Sequence, residues 1–375
     1  STLGNCTTTW GCESTQKVIT NDRDAPFSAG QFIWTGWDYI GEPTPYNNTS
    51  KSSYFGQIDT AGFPKDTFFL YKAEWGGKSF APFVHVLPYW DWNEGQIIPV
   101  KAYTNCSDVE LFLNGKSFGK KYIDHEKNYD LFGLWQVPFE KGELKVVAYD
   151  ENGNDVCEEI KHSFTDPVKI SLEPEYFENG NISVDMSSDG EKCHIGNMYF
   201  FDIMTLDKDG YDVLNARNVI TVNVEGDAEF VSMDNGDATD YDQYISKTRR
   251  LFGNRLVAIV RAKSEKADFT VTAVSKDLAG VECRIVNGDI VSKSEIDSKT
   301  SEAILKDAGE YAGYVPVRKI EIVPDKIPNQ VRNDTENVSH AEFISASFLN
   351  GKQIPKQVRN DGGESNRNDG GESNR

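Results

Sequence analysis

The rhythm of hydrophobic and polar positions changes along this chain, and each rhythm predicts a different kind of element. Residues 1–29 are largely polar, with one short helix predicted around Glu13 to Ile19. Phe32-Ile33-Trp34 is then an apolar run without polar alternation, which predicts a parallel strand buried on both faces. A loop rich in Gly, Pro, Asn and Ser follows from Glu42 to about Phe63. Pro64 opens a helical stretch reaching Trp75 and closed by Gly76-Gly77, with Pro near the start and Gly past the end as helices prefer. Strand, long loop and helix together predict one β/α unit. From Phe83 the pattern shortens to strands separated by turn residues every ~8–12 positions, as in β-sandwiches.

Within that region Val109-Glu110-Leu111-Phe112-Leu113 reaches Asn114-Gly115, which tolerates the positive φ of a tight hairpin. Residues 144–149 predict another strand. Farther on, Ile220, Val222 and Val224 alternate with Thr221 and Asn223, so one face is expected to be buried. Residues 256–260 and Phe269, Val271 and Ala273 follow the same rule, with turns at 207–210 and 234–237. The stretch 292–314 is polar and charged and reads as a linker. Residues 315–323 read as the first strand of a further domain that does not follow. Residues 327–334 then recur with one change at 354–361, and 360–367 recur verbatim at 368–375. Short polar duplications of this kind cannot bury a core and predict disorder.

Composition narrows the function classes. With 38% hydrophobic and 12% aromatic residues, the 375-residue chain can bury two or three cores. It contains no run of about 20 apolar residues, so no membrane-spanning helix is expected. A net charge of −20 repels nucleic acid and anionic membranes but not a neutral sugar. Cys6, Cys12, Cys106, Cys157, Cys193 and Cys283 form no C-x-x-C pair, so neither a zinc site nor a disulfide scaffold follows, although one or two disulfides stay open. The five histidines show no metal spacing, and no cofactor or metal is expected. The chain starts without an initiator Met or signal pattern, so any export signal is expected upstream. The compartment stays open, with an extracytoplasmic one, periplasmic or secreted, favoured.

Two long segments carry a family resemblance. Residues 32–46, with Trp34, Trp37-Asp38-Tyr39 and Gly41-Glu42-Pro43, and residues 52–66, with Tyr54-Phe55-Gly56-Gln57-Ile58-Asp59, resemble the barrel-closing strand, loop and helix of family 2 glycoside hydrolases of the β-galactosidase type. His85 to Trp92 and Val109 to Lys116 are similar to the sandwich that follows that barrel; Val231 to Asp237 and Arg249 to Phe252 are similar to the next. The resemblance implies a mainly β fold: the truncated last β/α unit of a TIM barrel, two immunoglobulin-like β-sandwiches and a disordered tail. The expected boundaries are 1–77 for the barrel remnant, 78–165 and 166–290 for the sandwiches, 291–325 for a linker with an incomplete strand, and 326–375 for the tail.

The implied activity is hydrolysis of terminal β-galactosides, or related β-linked sugars, with retention. That chemistry needs two carboxylates about 5–5.5 Å apart. In the family both sit on earlier barrel strands, the acid/base after an Asn. Asn93-Glu94 is the only such pair and falls in the first sandwich, so no catalytic residue is carried over. This chain alone is expected to be inactive, and the missing N-terminal part of the enzyme is a possible partner beside the β-galactoside or related oligosaccharide. The alternative is a carbohydrate-binding or structural module.

Three residues are singled out as substrate-binding. The resemblance makes Trp34 the floor beneath the sugar, its ring on the apolar face of the pyranose; the other reading is a packed core Trp. Asp38 either bonds a sugar hydroxyl or braces the loop. Glu42 faces the substrate or solvent. Lys65 and Asp66 are read as structural. Trp90 and Trp92 form either a second sugar platform or a packed pair, and the Asp207-Lys208-Asp209-Gly210 stretch is read as a turn rather than a calcium loop.

Overall fold

The computed structural model describes residues 14–44, 50–175, 183–185, 192–194 and 197–311. The repeat tail, the strand expected over 315–323, Cys6 and Cys12 lie outside the described residues. Helix α1 (Thr15–Asp24) starts where Ser14 can cap it, its side chain accepting from Lys17 N–H. Helix α2 (Asp66–Tyr71) runs on through a π turn (Lys72–Gly76) and stops at Gly77, whose φ of 47° suits glycine. Ile19 and Leu70 from these helices pack with Leu87, Tyr103 and Leu131 in a small cluster of their own.

Between the two helices the structure departs from the sequence pattern. Phe32-Ile33-Trp34 forms no strand, and the Phe32 and Trp34 side chains are exposed. A strand covered on both faces needs neighbours on both sides. Here the segment meets only isolated bridges, Trp37 to Ile58 and Ile40 to Ser52, and no barrel closes among the described residues.

The first sheet pair follows. Strands β1 (Val84–Leu87), β2 (Ile97–Thr104), β3 (Asp108–Leu113), β4 (Lys116–Tyr122), β5 (Gly133–Pro138), β6 (Glu143–Tyr149) and β7 (Asp155–His162) form sheets ordered β1-β2-β5 and β4-β3-β6-β7. The predicted hairpin is present: Asn114 and Gly115, both with positive φ, turn β3 into β4. The alternation in β3 buries Val109, Leu111 and Leu113, which lie opposite Ala148, Val146 and Leu144 of β6. They share a core with Ile98, Val100, Trp135 and Val137 of the facing sheet. Each such side chain fully buried stabilises by roughly 1.5–3 kcal/mol.

A second sheet pair has its own core. Strands β8 (Lys169–Glu175), β9 (Ser183–Asp185), β10 (Lys192–His194), β11 (Met198–Leu206), β12 (Val219–Gly226), β13 (Ala228–Asp234), β14 (Thr248–Arg250), β15 (Leu256–Ala262), β16 (Phe269–Val274), β17 (Val281–Val286) and β18 (Asp289–Glu295) are antiparallel wherever they pair. The orders are β13-β15-β11-β8 and β14-β12-β16-β17-β18, with β9 and β10 as a short separate pair. Ile220 and Val222 are buried in one core with Leu256, Ala258, Val260 and Phe269, but the alternation holds only in part, since Thr221 is buried as well and Val224 only partly so. The stretch from Ser292, read as linker, completes β18 and then forms helix α3 (Ser298–Ala308), capped by the Asp297 side chain on Thr300 N–H. Its polar composition hid it, because a helix resting on a sheet by one narrow edge needs few apolar residues. Residues 207–210 form the predicted turn, with Asp207 Oδ1 accepting from the N–H groups of Asp209 and Tyr211. Asp207 Oδ2 takes Thr165 N–H at 2.9 Å and so ties the two sheet pairs.

Candidate functional site

The three residues singled out from sequence fall on one short segment, residues 34–42, held on two sides by the loop that returns to α2. Asp38 N–H donates to Ile58 O at 2.9 Å and Ile58 N–H to Gly36 O at 3.0 Å. Gly41 N–H donates to Lys51 O, and Ser53 N–H to Tyr39 O. The approach is so close that a Cβ on Gly56 would lie 2.1 Å from Asp38 N, which is why glycine occupies that position.

Trp34 is 73% exposed, and the peptide after it is cis. Its Nε1–H donates to Tyr39 Oη at 3.2 Å, and the rings meet edge to face at 6.0 Å. Tyr39 Oη–H in turn donates to the Glu42 carboxylate. Burial, followed by that carboxylate, raises the Tyr39 phenol above its ordinary value, so it stays a donor. The chain Trp34–Tyr39–Glu42 therefore presents an open indole face with a partly exposed carboxylate fixed beside it. Tyr39 was not singled out from sequence, although its spacing of three from Glu42 was visible.

Asp38 lies beneath this surface rather than on it. It is 6% exposed; Lys65 Nζ meets Oδ2 at 2.7 Å, and Gly56 N–H donates to Oδ1 at 2.7 Å. Burial raises its carboxyl above the ordinary value, against the pull of Lys65 and of the Gly56 N–H. Lys65 is itself buried, donates to Tyr54 O at 3.2 Å and lies 3.9 Å from the Tyr54 ring centroid. Of the two readings of Asp38, the bracing contacts are the ones present in the structure. Asp66 pairs with His85 Nε2 at 2.8 Å and fastens α2 to β1.

Phe27, Phe32, Trp37 and Ile40, within or just before the segment, are also more than half exposed. The other tryptophans behave differently. Trp90 is 0% exposed in the first core and donates Nε1–H to Glu140 O, while Trp92 stacks on Tyr89 at 5.0 Å. The platform reading of Trp90 and Trp92 therefore fails, because the larger part of the pair is sealed among β-strands. Glu94 is exposed in the turn before β2.

The loop is secured from a distance as well. Lys51 N–H donates to Ala238 O at 2.9 Å, in the loop after β13. Asp59 is 7% exposed; its Oδ1 accepts from Ala61 and Phe63 N–H, and Gly236 lies against its other oxygen so tightly that a Cβ would come within 2.2 Å. Arg249, fully buried, holds Asp234 at 3.2 Å.

Comparison with known proteins gives this geometry a setting. Residues 95–157 match a domain of unknown function (DUF4982), and residues 179–284 match the glycoside hydrolase family 2 C-terminal domain 5. Over 74% of its length the chain is 35% identical to the β-galactosidase BoGH2A of Bacteroides ovatus, of which it covers 30%. It is 30% identical over 68% of its length to a putative β-glucuronidase of Formosa agariphila, of which it covers 23%. The chain thus spans less than a third of the length of either curated relative. A β-glycosidase structure from Bacteroides vulgatus superposes with a TM-score of 0.62 at 29% identity, covering 73% of this chain and 33% of that one. A family 2 glycosyl hydrolase structure from Bacteroides cellulosilyticus shares the fold at a TM-score of 0.56 and 24% identity, covering 69% of this chain and 36% of that one.

Proposed function

The chain belongs with the C-terminal part of glycoside hydrolase family 2, and from that premise we propose that it is part of a retaining enzyme that hydrolyses terminal β-galactosides. In this reading residues up to 77 are the closing β/α unit of the catalytic TIM barrel, and the two sheet pairs are immunoglobulin-like sandwiches that brace it. The observation that carries the reading is the exposed Trp34 face with Glu42 fixed beside it through Tyr39. An indole stacks on the apolar face of a pyranose while a nearby carboxylate accepts its hydroxyl protons. Asp38 serves indirectly by holding the segment through Lys65 and Gly56.

A neutral galactoside fits this arrangement better than an anionic glucuronide. The charged group joined to Trp34 is the acid Glu42, and Lys65 is buried against Asp38. A sugar carboxylate placed on the ring would meet repulsion there, in a chain already at −20.

Neither acid of the segment suits the reacting roles, since Asp38 is ion-paired and Glu42 is tied to Tyr39. The acid/base and nucleophile are accordingly assigned to barrel strands outside these residues, and the exposed Phe27, Phe32, Trp37 and Ile40 to contact with those strands. The chain alone should give no turnover of a nitrophenyl β-galactoside above blank. Galactose should change its tryptophan fluorescence, glucuronate should do so more weakly, and Trp34→Ala should abolish the change. Turnover by the isolated chain, or an unaltered titration in W34A, refutes the reading.

A further inference from the structure

The helical part of the chain is seated on one loop of the first sheet pair, residues 123–132 between β4 and β5. From α1, Gln16 Nε2 donates to Tyr129 O at 2.8 Å and to Asp130 Oδ1 at 3.1 Å. Arg23 Nη1, near the other end of α1, donates to His125 O at 3.1 Å and to Asn128 O at 2.8 Å. The π turn adds a third contact, where the Glu74 carboxylate meets His125 Nδ1 at 2.8 Å. The loop is braced internally: Asp124 Oδ1 accepts from the N–H groups of Glu126 and Lys127, and Asp124 O accepts from Asn128 N–H.

The His125 contact differs from the others in its chemistry. Its Nε2 lies 3.0 Å from Cys106 O, so the two ring nitrogens face a carboxylate and a carbonyl, both of them acceptors. A neutral imidazole has one N–H and turns a lone pair toward one of those oxygens, whereas an imidazolium donates to both. The groups around the ring are Glu74 on the π turn and Cys106, its thiol unbridged, on the β2–β3 turn. Beside them are Asp124, next in the loop, and Arg23 of α1, which interacts electrostatically with both Glu74 and Asp124. The Glu74 side chain is 5% exposed and that of His125 27%. The pair is thus dry enough for its charge to matter and open enough to exchange protons with water.

We propose that His125 is a pH-sensitive latch, which fastens the π turn after α2 to the first sheet pair while its ring is protonated and releases it as the pH rises. Deprotonation takes away one donor, so either Glu74 or Cys106 O then faces a lone pair. The neighbouring hold, Asn105 Nδ2 on Gly77 O at 3.0 Å, contains no titratable group, so the turn loosens at one point rather than detaching. The turn continues α2, whose N-cap Lys65 braces Asp38, so the latch sits at the far end of the element that supports the Trp34–Glu42 segment.

The direction of the switch follows from the same contacts. Burial works against charge on the ring, but the Glu74 carboxylate and the Cys106 carbonyl outweigh it and hold the His125 pKa above the ordinary 6.5. The folded state therefore binds this proton more tightly than the unfolded chain does. The stabilisation is complete below pH 6.5 and is lost as the pH climbs through the higher folded value.

The test uses the full chain. Proton NMR titration of the ring Cε1–H signals of the five histidines, with His125→Asn identifying one of them, should place His125 above 6.5 in native buffer and return it to the ordinary value in urea. Hydrogen exchange read by mass spectrometry, corrected for the intrinsic pH dependence of exchange, should show protection of the π-turn peptide falling several-fold across that midpoint. Peptides of β3 and β6 should keep theirs. In Glu74→Gln the amide accepts from an imidazolium or donates to a neutral ring, so π-turn protection should hold over the same range. A His125 midpoint at or below 6.5, wild-type protection indifferent to pH, or an equal loss in E74Q overturns the proposal. Should a variant fail to fold, the wild-type profiles decide, since the loss of protection either accompanies a histidine midpoint above 6.5 or does not.

Discussion

Asp59 offers a test whose size and sign both follow from the structure. Its carboxyl is buried between the 57–65 loop and Gly236, and burial pushes its pKa from 3.8 to about 6, with Asp234 adding to the rise and two backbone N–H groups opposing it. The folded state therefore binds this proton more tightly than the unfolded chain does. Stability from the group is fully present below pH 3.8 and is lost as pH rises through about 6. At about 1.4 kcal/mol per pH unit, the penalty reaches about 3 kcal/mol at pH 7 and about half that at pH 5. Asp59→Asn keeps an oxygen to accept from Ala61 and Phe63 but cannot ionise. The variant should exceed the wild type by about 3 kcal/mol at pH 7, and the advantage should halve by pH 5. Urea unfolding followed by tryptophan fluorescence at both pH values measures this. A variant no more stable than wild type at pH 7, or an advantage that does not shrink on acidification, refutes the reasoning.

Other substitutions probe the site's support and the first core. Lys65→Met leaves Asp38 buried without its cation and should cost about 3–5 kcal/mol in urea unfolding, most of it recovered when Asp38→Asn is added. Trp90→Ala empties a fully buried position and should cost about 3–5 kcal/mol by the same measurement, while the galactose affinity of the folded fraction stays unchanged. Trp92→Ala, at a half-buried position, should cost less than Trp90→Ala.

Local patterns were the legible part of this fold. The Asn114-Gly115 turn and the Asp207 turn depend on neighbours in sequence, and the structure has each where the residues indicate. Long-range circumstances were not readable. Phe32-Ile33-Trp34 has the composition of a buried strand, yet burial requires flanking strands that the described residues do not provide. Trp90 and Trp92 share a period-two spacing, but only the packing of two sheets seals Trp90 and leaves Trp92 on Tyr89. The Asp38–Lys65 pair spans 27 positions and gives no local signal. Helix α3 offered one, Asp297 three residues before Thr300, within a stretch too polar to draw notice.

The contact of Gly236 with Asp59 has a practical corollary for anyone shortening this protein. A cut made after the first sheet pair would not release a tidy smaller module, because the clasp over residues 51–59 is supplied from positions 234–238, far downstream. The distal sheets act as a back-strap whose free end is buckled near the Trp34–Glu42 segment, so a trimmed version should slacken where its amino acids are untouched.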